Sequence, residues 1–312
     1  MREWRLDWLS VAAALGVVLV HVPVYFHAES NYESFIVNGV CSTSVPLFFA
    51  ISGYLLAKRR GSSGWWGLAI RKRLFSLGTP YVFWSAVYVG VMYALGDRGM
   101  TFANVCGLNL SRLPYFYPFW FVRNLFLLVV ISPLLFYGIE RLPVVGMVIL
   151  ALMDVLSSMK FLAGSSIWIG LFYFTMGLYI GFKPYTFSWL TKRTAYGLLT
   201  LATILFLIGP VLNLPGAGIV RSLARIMLVL GMWRAVPDIE PPAALVGVVF
   251  PVYAMHVFVL IGLSFVIKSS VVYEWYGQFM MAVFVFMICM CIRVIIKHWC
   301  PATLSNCMFG GR

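Results

Sequence analysis

Apolar stretches of roughly twenty residues, parted by short polar segments, dominate the chain. They lie at 8–27, 34–57, 77–96, 119–138, 142–158, 166–182, 194–212, 219–236, 243–267 and 277–297. A helix needs about 20 apolar residues to cross the hydrocarbon of a bilayer, and most of these runs approach that length. The pattern predicts an all-α, polytopic membrane protein with about ten transmembrane helices, the fifth and sixth being short. Pro251 predicts a kink within 243–267, because proline removes a helical N–H. The longest connection, 97–118, is too short for a second domain, so residues 1–312 read as a single transmembrane domain without internal repeats. The segment Met1–Leu6 is charged, and no small-residue cleavage site follows the apolar run that begins at Trp8. The first span is therefore expected to be retained.

Composition agrees with the pattern. Of 312 residues, 62% are hydrophobic and 11% charged, against about 25% charged in an ordinary soluble domain. The net charge of +13 sits between apolar runs instead of forming a face or tail, which disfavours nucleic acid as a partner. Loop 58–76 holds Lys58, Arg59, Arg60, Arg71, Lys72 and Arg73 without an acid, whereas the preceding loop holds Glu29 and Glu33 without Lys or Arg. Arg141, Lys183, Lys192, Arg193 and Arg234 fall on the same side as the basic loop. The positive-inside rule then places both termini in the cytoplasm. The six cysteines and four histidines have no metal-ligand spacing, so no metal is expected. Phosphate-loop, G-x-S-x-G and H-E-x-x-H motifs are absent from the sequence, which disfavours ATP-driven work and elbow-type serine hydrolysis.

Ionisable groups inside spans are costly and mark candidate sites. His21 lies about 20 Å past Trp8 along a helix, toward the outer leaflet. It reads either as a base able to take a proton from an alcohol or as a histidine bonded to a neighbouring helix. Asp7, fourteen positions earlier, projects from roughly the same face. His256 sits in another apolar run, where a satisfied interior histidine is the simpler account. Arg123, early in the fourth span, either snorkels to the outer surface or holds an anion. Arg221 and Arg225 are weaker cases, and Asp154 is expected at the interface. Arg71-Lys72-Arg73 serves either topology and lipid headgroups or a phosphate-rich donor. The aromatic segment Pro114-Tyr115-Phe116-Tyr117-Pro118 either caps an opening or joins an interfacial belt.

Several segments together resemble the family-3 membrane-bound acyltransferases. They are Leu6-Asp7-Trp8-Leu9 leading to His21, Ser44-Val45-Pro46-Leu47-Phe48-Phe49-Ala50-Ile51-Ser52-Gly53-Tyr54-Leu55-Leu56, and Arg71-Lys72-Arg73 with Pro80-Tyr81. Further along are Phe119-Trp120-Phe121-Val122-Arg123-Asn124-Leu125 running to Ser132-Pro133-Leu134, Phe172-Tyr173-Phe174-Thr175-Met176-Gly177, and Val252-Tyr253-Ala254-Met255-His256. They occur in the family's order over residues 5 to 258, and the family's ten-span layout matches the count above.

The resemblance implies transfer of an acyl group, usually acetyl from acetyl-CoA as co-substrate, to a sugar hydroxyl. The acceptor would be a surface polysaccharide such as O-antigen or a lipid-linked glycan, at the bacterial inner membrane. No cofactor is expected to be resident. His21 matches the family's essential first-helix histidine, and Arg71 and Arg73 its basic motif. The family commonly has a basic residue at the position of Ser10 and a second Arg at the position of Ser76. The departures at Ser10 and Ser76 imply donor contacts rearranged onto Arg5, Arg71 and Lys72. Trp120, Arg123, Tyr115 and His256 are expected near the acceptor, with Ser52 and Tyr54 as candidate pocket or oxyanion groups. Succinyl transfer is the alternative within the enzyme class, and a glycolipid transporter or flippase the alternative outside it.

Overall fold

The computed structural model describes residues 3–26, 39–110, 112–162, 165–211, 217–268, 272 and 274–311. Glu29 and Glu33, used above for orientation, lie outside them. All regular structure among the described residues is helical. The principal helices are α1 (Trp4–Phe26), α2 (Ser44–Ala57), α3 (Trp65–Arg73), α4 (Thr79–Ala94), α5 (Trp120–Val130), α6 (Ser132–Arg141) and α7 (Pro143–Ser158). They are followed by α8 (Ser165–Phe182), α9 (Lys192–Val211), α10 (Ala217–Ala235), α11 (Val249–Ser264), α12 (Trp275–Trp299) and α13 (Ala302–Phe309).

Among the described residues, four helical stretches are long and apolar enough to cross a membrane: Trp4–Phe26, Val40–Ala57, Trp65–Ala94 and Tyr276–Trp299. Tyr117–Val130 and Ser132–Arg141 pass together as a pair bent by 61°. Pro143–Ser158, Ser166–Phe182 and Val249–Ser264 are shorter apolar helices.

The structure departs from the sequence expectation at three places, each with a local cause. The expected third span begins twelve residues earlier, at Trp65, so the basic triplet lies within the helical run instead of opening it. The fourth span breaks where Pro133 enters the first turn of α6, a position that tolerates proline but cannot continue the preceding helix. Pro251 lies in the first turn of α11 and so starts that helix instead of kinking it.

The chain forms two compact units, residues 1–48 with 187–301, and residues 49–186 with 302–312. In the first, α1 packs against α11 and α12. Helices α9 and α10 form a hairpin whose core is Ala202, Phe206, Ala224 and Leu228. In the second, α8 packs against α5 and α7, and its glycines press on α2. A Cβ at Gly177 would fall 1.9 Å from the Ala50 carbonyl oxygen, and one at Gly53 2.1 Å from that of Phe174. Glycine is required here because the two backbones touch. Close approach through small residues is the usual way apolar helices associate where lipid supplies no hydrophobic drive.

Candidate active site

The first unit brings together two residues that lie 235 positions apart. His21 on α1 and His256 on α11 have ring centroids 5.0 Å apart, with His256 Nε2 3.3 Å from His21 Nδ1. His256 is fully buried. Its Nδ1 lies 2.7 Å from the Tyr253 carbonyl and 3.2 Å from that of Val252. A carbonyl only accepts, so Nδ1 carries the proton and Nε2 the lone pair. His21 Nδ1 lies 2.7 Å from the Val17 carbonyl, so that nitrogen likewise carries the proton and donates it. The His21 N–H is thus shared between Val17 O and His256 Nε2, and the basic lone pair of His21 is on Nε2. Each ring is set by the carbonyl one turn before it, a contact that helical geometry supplies. Burial in an apolar helix pair makes these hydrogen bonds obligatory, since an unmade one would cost its full desolvation penalty.

The second unit carries a basic recess of about 700 Å³. Lys58, Arg59, Arg71 and Lys72 line it together with Ser62, Trp65 and Phe75, and no carboxylate is among the lining residues. Arg73 is not among them. Arg60, between the two basic pairs, has a structural task instead. It pairs with Glu140 at 2.6 Å and stacks over the rings of Phe136 and Phe182, tying the 58–64 connection to α6 and α8. Four cations lining one recess are the chemistry that holds a multiply phosphorylated group.

Arg123 has its donors turned to the 97–118 loop. Its Nη1 donates to the carbonyls of Gly107 (3.0 Å), Asn109 (2.9 Å) and Arg112 (3.0 Å). Its Nε donates to Asn124 Oδ1 at 3.2 Å, and buried Asn124 reaches Ser166 Oγ at 3.4 Å. Gly107 has φ +63°, and a Cβ there would lie 2.7 Å from Tyr81 Oη and 3.2 Å from Arg123 Cδ, so only glycine fits beneath the guanidinium. The loop's other end is held by Tyr115, whose hydroxyl donates to Asp97 Oδ2 at 2.7 Å. The Gly99 N–H, then the Tyr115 hydroxyl, hold the Asp97 carboxyl below its usual range. Burial and then the Asp97 bond push the Tyr115 hydroxyl up to about 12.

The remaining sequence candidates divide. Asp7 is on α1 as expected, but fourteen residues of helix put it about 21 Å from His21. The contact on the His21 ring comes from His256. The Arg5 guanidinium pairs with Glu3 at 2.5 Å, while its backbone N–H reaches Asp238. The Ser10 hydroxyl donates to the Leu6 carbonyl one turn earlier at 2.7 Å. Neither Arg5 nor Ser10 is among the residues that line the recess. Tyr54 is buried with the Lys58 ammonium 5.2 Å from its ring centre. Ser52, one turn before Leu56 on α2, is half-buried. Trp120 packs on Phe49 with ring centroids 6.1 Å apart. Asp154, expected at the interface, is wholly buried. Sequence reasoning counted Lys58 and Arg59 only as topology signals. Their spacing of thirteen residues from the basic triplet could not show that a turn at 60–64 folds them back beside it.

A curated protein named "Succinoglycan biosynthesis protein ExoH", from Rhizobium meliloti (strain 1021), is 25% identical over 161 residues, covering 45% of this chain and 44% of that protein. The match thus spans less than half the length of that relative. No solved structure matches. The acyltransferase-domain family matches residues 3–298, a span that takes in the histidine pair, the basic recess and the Arg123 loop, and the chain accordingly belongs to the family-3 acyltransferases.

Proposed function

We propose that this protein is an acyl-CoA-dependent O-acyltransferase of the bacterial inner membrane. It would move acetyl from cytoplasmic acetyl-CoA to a sugar hydroxyl of a surface polysaccharide or lipid-linked glycan. Ten spans with both termini cytoplasmic would place loop 58–76 on the donor side. The observation that carries the reading is the histidine pair, whose contacts put the His21 proton on Nδ1 and therefore its basic lone pair on Nε2.

In this reading His21 Nε2 accepts the proton of the acceptor hydroxyl as its oxygen attacks the thioester carbonyl. The C–S bond breaks, the coenzyme leaves as a thiolate, and the imidazolium returns a proton to it. No covalent enzyme intermediate forms. His256 is a positioning residue: its neutral Nε2 takes a share of the His21 Nδ1–H, which carries more positive charge once Nε2 is protonated. Lys58, Arg59, Arg71 and Lys72 hold the phosphates of the coenzyme, and the aromatic loop 113–118 lies toward the acceptor. Such proton transfer contributes about 10²–10⁴-fold.

The test is thioester cleavage by purified protein in detergent, offered acetyl-CoA or succinyl-CoA, with wild type and His21→Ala compared. Turnover that disappears in the variant, with unchanged helical content, is expected, and the faster donor identifies the acyl group. A variant as active as wild type would refute the base assignment. Glycolipid movement without thioester consumption would point to the transporter reading.

A further inference from the structure

The basic segment at the recess is followed by an unusual piece of backbone. Residues Leu74–Gly78 form a π-helical turn, closed by the Thr79 N–H on the Leu74 carbonyl, between α3 and α4. Such turns are rare, cost stability and concentrate at functional sites. The extra residue rotates α3, with Arg71 and Lys72, by about one helical position relative to α4. Something must hold the turn against relaxing to an ordinary α-helix.

Segment 302–311 lies against it. Helix α13 packs on α4, Phe309 is fully buried, and the Trp84 indole N–H donates to the Met308 carbonyl at 2.9 Å. Gly310, at φ +65°, then lies directly on the π-turn. A Cβ there would stand 2.3 Å from the Ser76 carbonyl oxygen and 2.8 Å from Ser76 Cα. Ser76 is itself buried.

We infer that segment 302–311 is a latch that holds the π-turn at 74–78, and through it sets Arg71 and Lys72 for the phosphates of the acyl donor. This inference rests on the donor reading above. Phe309, Gly310 and Trp84 are positioning residues, since none of them lines the recess.

Two variants test it. Gly310→Val adds bulk against the Ser76 backbone and strains a left-handed residue. Trp84→Phe removes only the indole donor and covers the case in which the first variant does not fold. Two readouts are needed: KM for acetyl-CoA against kcat, and amide hydrogen exchange across 71–78. Gly310→Val is expected to raise KM about tenfold with kcat within about twofold, and Trp84→Phe to raise it by about fivefold. Exchange at 74–78 should rise in both, with α1 and α11 unchanged. Unaltered exchange at 74–78, or a fall in kcat at constant KM, would overturn the latch. If wild type consumes no acyl-CoA, the donor reading fails, and hydrogen exchange alone still decides whether the latch holds the turn.

Discussion

Substituting Gly177 by alanine tests the packing that supports the second unit. The new Cβ would meet the Ala50 carbonyl oxygen at 1.9 Å, its carbon at 2.7 Å and Cα at 2.9 Å. That is about 1.5 Å inside the distance at which ordinary van der Waals contact begins. All three obstacles are backbone atoms, so no rotamer change relieves them. Helices α2 and α8 must part, which also opens the reciprocal contact of Gly53 with Phe174 and that of Gly181 with Tyr54. Overpacking of this kind costs about 3 kcal/mol, the upper part of its usual range, because the clash is with backbone. Alanine returns about 1 kcal/mol through its better helix propensity, leaving a net loss of about 2 kcal/mol. The melting temperature in detergent, followed by circular dichroism, should fall by about 3 °C at an unfolding entropy of about 2.1 cal/mol/K per residue over the 312 residues. Gly138→Ala on α6 is the control: a Cβ there meets nothing within 4 Å, so this variant should melt at or slightly above wild type. If Gly177→Ala melted with Gly138→Ala, the backbone contact of α2 with α8 would not be the constraint described.

Other consequences are as direct. His256→Phe keeps the ring volume but removes the acceptor for the His21 N–H; turnover should fall about 10²-fold while acetyl-CoA KM stays near wild type, and an unchanged kcat would remove His256 from the mechanism. Lys58→Ala with Arg59→Ala should raise KM for acetyl-CoA about tenfold or more without lowering kcat, as loss of charge-assisted phosphate contacts requires; equal KM values would exclude the recess as the donor site. Arg123→Lys cannot reach three loop carbonyls with a single ammonium, so proteolysis within 97–118 should accelerate, and the reverse result would dismiss the clasp. The Asp97–Tyr115 bond should stabilise the loop at neutral pH. Asp97 has its folded pKa depressed, so its contribution is present above the unfolded carboxylate range and is lost as pH falls through the lower folded value. Tyr115 has its pKa raised to about 12, so its contribution is complete below the ordinary tyrosine range and is lost as pH rises through that value. One tyrosine ionising near 12 by absorbance, and reverting to ordinary titration in Asp97→Asn, is the expected signature.

The sequence by itself determined what depends on composition and periodicity. Runs of twenty apolar residues can only be satisfied as helices in lipid, so the helical class, the positions of most helices within a few residues, and the family followed without coordinates. It also singled out His21, because a titratable group in an apolar run is costly enough to require a reason. What it could not determine were relations between segments distant along the chain. His256 read as an interior histidine until α11 was seen beside α1, where its Nε2 meets the His21 N–H. Arg123 read either as snorkelling or as an anion ligand because sequence does not reveal carbonyls, and the loop's carbonyls are what it holds. Lys58 and Arg59 became part of a recess only through the turn at 60–64, and only the fold brings Gly310 against Ser76 of the π-turn. The physical reason is common to these cases. Hydrophobic burial is additive along the chain and legible residue by residue, whereas hydrogen bonds and charge contacts act over about 3 Å and depend on which backbones the tertiary fold brings together.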